Sequence, residues 1–131
     1  MLPLFVAAVP SFLPSWQAFV SEWKDEPPPP LYLALSDLAR HLIDELSRGE
    51  ITHFPVVFGL VERCQAHGDP YVQEAVTIGL LEDLQNRNLH VTTAPSDFEV
   101  WLAPKSKAAW ESLNRFWAGE APFVRGDASD T

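Results

Sequence analysis

Cys64 and His67 stand three residues apart, a spacing that sets a thiol and an imidazole on one face of a helix. A structural zinc ion would need that pair and two further ligands. The other histidines, His41, His53 and His90, are not spaced from one another or from Cys64 as zinc ligands are. The pair therefore reads as half a site, or as a buried thiol beside a helix-terminal imidazole. A thiol in an apolar stripe is also a poor nucleophile, because burial disfavours the thiolate. The sequence contains no G-x-S-x-G, phosphate-binding loop, dinucleotide fingerprint or H-E-x-x-H. Its six glycines fall mostly at expected helix ends, which leaves little backbone to cradle a phosphate. No catalytic residue, cofactor or metal is expected, and the reading is of a protein that is not an enzyme.

Two carboxylates resist that bland reading. Glu82 and Asp83 fall near the C-terminal end of an expected helix, where each opposes the helix dipole at a cost of about 0.3–1 kcal/mol. At about 100° per residue, Glu82 lies among Tyr71, Ala75 and Ile78, and Asp83 among Val72, Val76 and Leu80. Either each reaches solvent or an arginine such as Arg87, or the two project as anchors for a cationic partner. A carboxylate site of a small enzyme is a further use, and it requires a deep polar pocket containing both.

The elements that must position these residues are helical. Over 11–23 the apolar residues Phe12, Leu13, Trp16, Phe19, Val20 and Trp23 form one stripe, with Ser11 as the expected N-cap. Asp25, Glu26 and the four prolines Pro27 to Pro30 end that helix. The proline block reads as a stiff spacer or as a ligand for a proline-recognition domain. A second helix over 31–48 buries Leu31, Leu35, Leu38, Ala39, Leu42 and Leu46. Asp37, Arg40, Asp44 and Arg48 lie opposite as a self-neutralising face. Gly49 sits where a left-handed residue closes a helix.

A third helix over 55–67 turns Val56, Val57, Leu60, Val61 and Cys64 inward. Gly68-Asp69-Pro70 then stops it, caps the next helix and supplies that helix's first residue, which predicts a tight antiparallel pair. The fourth helix, over 70–86, is apolar around most of its circumference and is expected at the centre. A polar linker follows over 88–95, with Leu89, Val91 and Thr92 as a possible short extended piece. Ser96-Asp97-Phe98-Glu99 reads as a capping box opening a short helix to Leu102. Phe98 and Trp101 there either cover the bundle or form an exposed anchor. Pro104 opens the last helix, with Trp110, Leu113, Phe116 and Trp117 on one stripe. The expected fold is all-α: five helices and one short helix, with a HEAT-like hairpin over 52–86. A single domain over 1–120 and a frayed tail over 121–131 complete it.

The 131 residues carry a net charge of −9. Residues 1–104 hold fourteen acids against five bases, and 105–131 hold four of each, so the helical body carries the whole excess. Such a field repels phosphate backbones and argues against nucleic acid; it favours a basic protein partner, or simply keeps the protein soluble. The apolar stretch over 2–9 lacks a preceding base and is broken by Pro3 and Pro10, so neither a signal peptide nor a membrane span is expected. With one cysteine and no internal disulfide, a cytoplasmic location is expected.

Gly68-Asp69-Pro70-Tyr71-Val72, leading into Gly79-Leu80-Leu81-Glu82-Asp83-Leu84-Gln85-Asn86, and the later Trp110, Leu113-Asn114-Arg115-Phe116-Trp117, resemble a family of small, acidic, helical bacterial proteins. The resemblance covers about 35–118. Proteins of this size and acidity are similar in type to immunity proteins made beside secreted antibacterial toxins. The resemblance therefore implies a protein that neutralises a cognate, basic toxin by occlusion. Its contacts would be Glu82 and Asp83 first, then Glu74, Asp37 and Asp44. A helical adaptor or regulatory domain unrelated to toxins is the alternative.

Overall fold

The computed structural model describes residues 2–22 and 31–117. Trp23, the proline block and the expected tail over 121–131 lie outside the described residues. Among those described, every regular element is helical. The elements are α1 (Leu2–Ala8), α2 (Leu13–Glu22), α3 (Leu31–Ser47), α4 (Phe54–His67), α5 (Pro70–Ala75), α6 (Glu82–Leu84) and α7 (Pro104–Trp117). A π-helical turn, Val76–Leu81, joins α5 to α6, and 3-10 turns occupy Pro10–Phe12, Arg87–Leu89 and Pro95–Trp101.

The expected tally omits α1. Its prolines hide it from a periodicity reading, yet Pro3 falls in the first turn, where a missing N–H costs nothing. Phe5 and Val9 are fully buried, and α1 packs against α4. The helix therefore exists through tertiary burial more than through local propensity. Among the described residues no single helix is long and apolar enough to cross a membrane; α1 and Pro10–Glu22 pass that test only together, and are bent by 109° at their break.

The first expected helix needs more correction. Ser11 does not cap it, since a 3-10 turn precedes α2 and the Ser11 hydroxyl is used elsewhere. Phe12 is buried, but α2 itself buries no residue: Leu13 and Val20 are exposed and Trp16 is half-buried. The second helix follows its pattern, with Leu35, Leu38, Ala39 and Leu42 in the core and Gly49 left-handed at φ 75°. In α4, Val57 and Val61 are buried, as are Phe54 and Phe58, whereas Val56 faces solvent.

The Gly68-Asp69-Pro70 corner forms as its residues dictate. The Asp69 carboxylate accepts the Val72 N–H at 2.8 Å, and Pro70 opens α5. Gly68 is extended (φ −71°), so its role is close approach and not a left-handed backbone. A Cβ there would lie 2.5 Å from the Cys64 carbonyl oxygen and 2.9 Å from Val72 Cγ1. Gly68→Ala is accordingly expected to destabilise by about 1–3 kcal/mol, as overpacking does. Chemical denaturation reads this out, and a cost near zero would mean that the corner yields.

The π-turn explains where the sequence argument about Glu82 and Asp83 fails. It packs chiefly along α3, with the Ser36 hydroxyl donating to the Gly79 carbonyl and Gln65 Nε2 donating to Thr77 Oγ1. A π-turn holds an extra residue, so everything after it is rotated by about 100° from its place on a regular helix. Leu80, Leu81 and Leu84 are buried, while Glu82 and Asp83 are half-buried. Neither carboxylate occupies the face that a regular helix would assign it.

The remaining corrections concern 87–101. Of the expected extended piece, Leu89 ends the 3-10 turn Arg87–Leu89 while Val91 and Thr92 lie in a bend, with Val91 almost fully exposed. The cap of the next turn is Ala94, not Ser96: Asp97 Oδ2 accepts the Ala94 N–H at 2.9 Å. Phe98 and Trp101 cover the bundle. Phe98 packs on Phe54 and Phe58, with ring centroids 5.8 and 5.9 Å away, and Trp101 meets Phe54 edge-on at 4.9 Å.

Candidate functional site

The residues singled out from sequence are scattered. Asp37 pairs with Arg40 at 3.6 Å, and Asp44 pairs with Arg48, which also holds Glu50. Those on α3 are therefore self-neutralised, as their spacing foretells. Glu74 is exposed, and both it and Glu82 are engaged by neighbours. Cys64 is half-buried and burial pushes its thiol up, which suits an inert role. Among the described residues no three of His, Cys, Asp and Glu gather where a metal ion could be held.

Two polar constellations were not read from the sequence. In the first, Ser11 Oγ donates to Glu45 Oε2 at 2.6 Å and lies 2.8 Å from His41 Nε2; that nitrogen is 3.5 Å from Glu45 Oε2. Glu45 is nearly fully buried, and its Oε1 has no partner. Serine, histidine and glutamate together suggest nucleophilic catalysis, but the geometry differs. A triad uses both imidazole nitrogens, one toward serine and one toward the carboxylate. Here a single nitrogen faces both groups. The cluster instead ties the Pro10–Phe12 turn to α3.

The second is a cleft of about 800 Å³ where the end of α6, the turns Arg87–Leu89 and Pro95–Trp101, and the far half of α7 converge. Its polar lining is Gln85, Asn86, Asn88, Ser96 and Asn114, with one base, Arg87, and one acid, Glu99. Ala94, Pro95, Trp110 and Trp117 complete it. Neither Glu82 nor Asp83 lines this cleft. Trp117 is 52% exposed, where the stripe of α7 placed it in the core.

Gln85 is the residue that builds the cleft. It follows Leu81 and Leu84 on the buried side of the helix, and its Nε2 donates to the Trp110 carbonyl at 2.8 Å. A carbonyl oxygen only accepts, so this bond fixes which end of the amide is nitrogen. The other end, Oε1, is buried without a hydrogen-bond partner. Trp110 Nε1 donates to Glu99 Oε2 at 3.2 Å, which joins α7 to the opposite wall. Asn86 accepts the Asn88 N–H at 3.0 Å and so shapes the Arg87–Leu89 turn. His90 holds the following loop: Nε2 donates to the Leu84 carbonyl at 2.8 Å, which leaves Nδ1 to accept from Thr93 Oγ1 at 2.7 Å. A polar residue on an otherwise apolar stripe is the one signal by which Gln85 is detectable in the sequence.

A family model described as a domain of unknown function (DUF7674) matches residues 2–118. Nothing among curated proteins or solved structures matches the chain.

Proposed function

The chain belongs to the DUF7674 family, whose model spans all of its described residues, and from that premise we propose that it is a protein-binding module that neutralises a cognate antibacterial toxin by occlusion. The observation that carries this reading is α2. At about 100° per residue, Leu13, Gln17 and Val20 share one face. No residue of that helix is fully buried: Trp16 rests against the core, while Leu13 and Val20 are 42% and 47% exposed. Exposed apolar side chains on a body with a nine-charge acidic excess offer anchors for an interface, with surrounding charge to attract a basic partner. Interfaces of this kind gain rate and partner choice from the charge, and affinity from the apolar centre.

On this reading the α4–α5 pair acts as a HEAT-like hairpin that holds the body rigid, residues 1–120 work as one domain, and the site of action is cytoplasmic. Asp83, Glu82, Glu74, Asp37 and Asp44 all belong to the acidic field, with Asp37 and Asp44 paired to Arg40 and Arg48 and Glu74 and Glu82 also engaged by neighbours. The test is co-expression with the product of the adjacent gene. Protection is expected, and Leu13→Glu with Val20→Glu should abolish it while the circular dichroism spectrum stays unchanged. A neighbour that is harmless, or toxic and unaffected, overturns the proposal. Protection that survives the double variant moves the interface off α2.

A further inference from the structure

We infer that the cleft between α6, α7 and the Pro95–Trp101 turn binds a small, neutral, hydroxyl-rich ligand of the saccharide class. The inference is independent of the toxin reading. It rests on three properties of the lining.

The first is volume. About 800 Å³ is within the roughly 300–1,000 Å³ that small-molecule sites occupy. The second is charge. Arg87 and Glu99 cancel, so the lining favours neither an anion nor a cation, and the acidic excess of the chain further disfavours phosphorylated ligands. The third is the kind of hydrogen bonding on offer. Asn88 and Asn114 each bring an uncommitted donor and acceptor about one hydroxyl apart, and Asn86 brings an uncommitted amide donor. A vicinal diol matches that pairing, since each hydroxyl both donates and accepts.

These groups are largely uncommitted. Among the described residues, the side chains of Arg87, Asn88, Ser96 and Asn114 make no hydrogen bond, and Asn86 uses only its oxygen. Gln85 Oε1 is an acceptor without a donor but is fully buried, so Gln85 forms the floor of the cleft and the ligand contacts fall to the other polar groups. The half-exposed indole of Trp117 adds a flat apolar surface on which the C–H face of a sugar ring stacks. A peptide strand is a poorer fit, because the walls are helical turns whose side chains face the cleft and no open sheet edge is present among the described residues to pair with its backbone.

The experiment uses the full chain, with the Trp indole and Asn/Gln side-chain amide signals followed by nitrogen–proton NMR. Glucose, galactose, N-acetylglucosamine and maltose are added to about 10 mM, a level that reveals millimolar affinities. Arginine, glutamate, inorganic phosphate and end-blocked triglycine are added in parallel. At least one saccharide is expected to shift the Trp110 and Trp117 indoles together with the Gln85 and Asn114 amides. Asn114→Leu, at an exposed helical position, should weaken that binding about tenfold or more, equivalent to about 1.4 kcal/mol, with the remaining spectrum unchanged. Silence from every saccharide overturns the inference, and so does a response at these signals to a charged probe or to triglycine alone. If Asn114→Leu leaves saccharide binding intact, the sugar is bound elsewhere and the assignment to this cleft fails.

Discussion

Phe98→Ala is expected to remove about 3–5 kcal/mol of stability, the usual cost of deleting a buried phenyl ring. Phe98 is fully buried, and the rings of Phe54, Phe58 and His90 surround it, the last edge-on at 6.1 Å. It is also the one buried residue of the Pro95–Trp101 turn. With Trp101 it holds the turn on the bundle, and Ala94, Pro95, Ser96 and Glu99, which form one wall of the cleft, are not themselves in the core. Domains of this size are stable by about 5–15 kcal/mol, so the variant should lose a large share of the total. Urea unfolding should show a lower midpoint with an unchanged slope. Phe98→Leu keeps most of the volume and should cost less than about 1.5 kcal/mol. Amide exchange should quicken over 95–101 in the alanine variant, as the turn opens locally. Equal costs for alanine and leucine would show that the ring does not anchor the wall.

What the sequence made legible follows from which signals are local. The periodicity of α3, the left-handed Gly49 and the Gly68-Asp69-Pro70 corner each depend on a few neighbouring residues, and all three are in place. The failures have tertiary causes. α1 looks like an interrupted apolar run until Phe5 and Val9 find the core. α2 has a regular stripe, but periodicity says only that one side is apolar, not how much of it is covered: Trp16 rests on the core while Leu13 and Val20 stay exposed. The π-turn defeats any helical angle computed across it, because the register change is set by packing on α3 and leaves no mark in residue type. For the same reason Glu82 and Asp83 drew notice, while Gln85 and Asn114 did not. Carboxamides near helix ends look like ordinary surface until residues 25 to 29 positions apart in the chain, such as Gln85 with Trp110 and with Asn114, are brought to one cleft.

Glu62→Ala is expected to destabilise by about 2 kcal/mol at neutral pH, the upper end of the range for losing a helix cap. The residue preceding α7 is Ala103, whose methyl group cannot accept a hydrogen bond from the first turn. Glu62, on α4, does this from outside the helix: Oε2 accepts the Lys105 N–H at 2.9 Å, and Oε1 accepts both the N–H and the hydroxyl of Ser106 at 2.8 Å. One carboxylate thus caps α7 and fastens it to α4. Burial raises its pKa, but the three hydrogen bonds and the charge of Lys105 outweigh that and hold the carboxyl below its ordinary 4.5. The sign follows. The unfolded chain takes up this proton first as pH falls, so the contribution is whole above about 4.5 and drains as pH drops through the lowered folded value. Glu62→Gln keeps the shape and one acceptor oxygen, so it should lose less stability than alanine at pH 7 and lose the slope in that acid window. Glu50 is also lowered, through a hydrogen bond from Arg48 and its charge, but it is exposed at the surface. Added salt should suppress the Glu50 part and spare most of the Glu62 part, whose bonds run to backbone N–H groups. Stability curves for the wild type and Glu62→Gln that run parallel below pH 5 in high salt would refute the capping role.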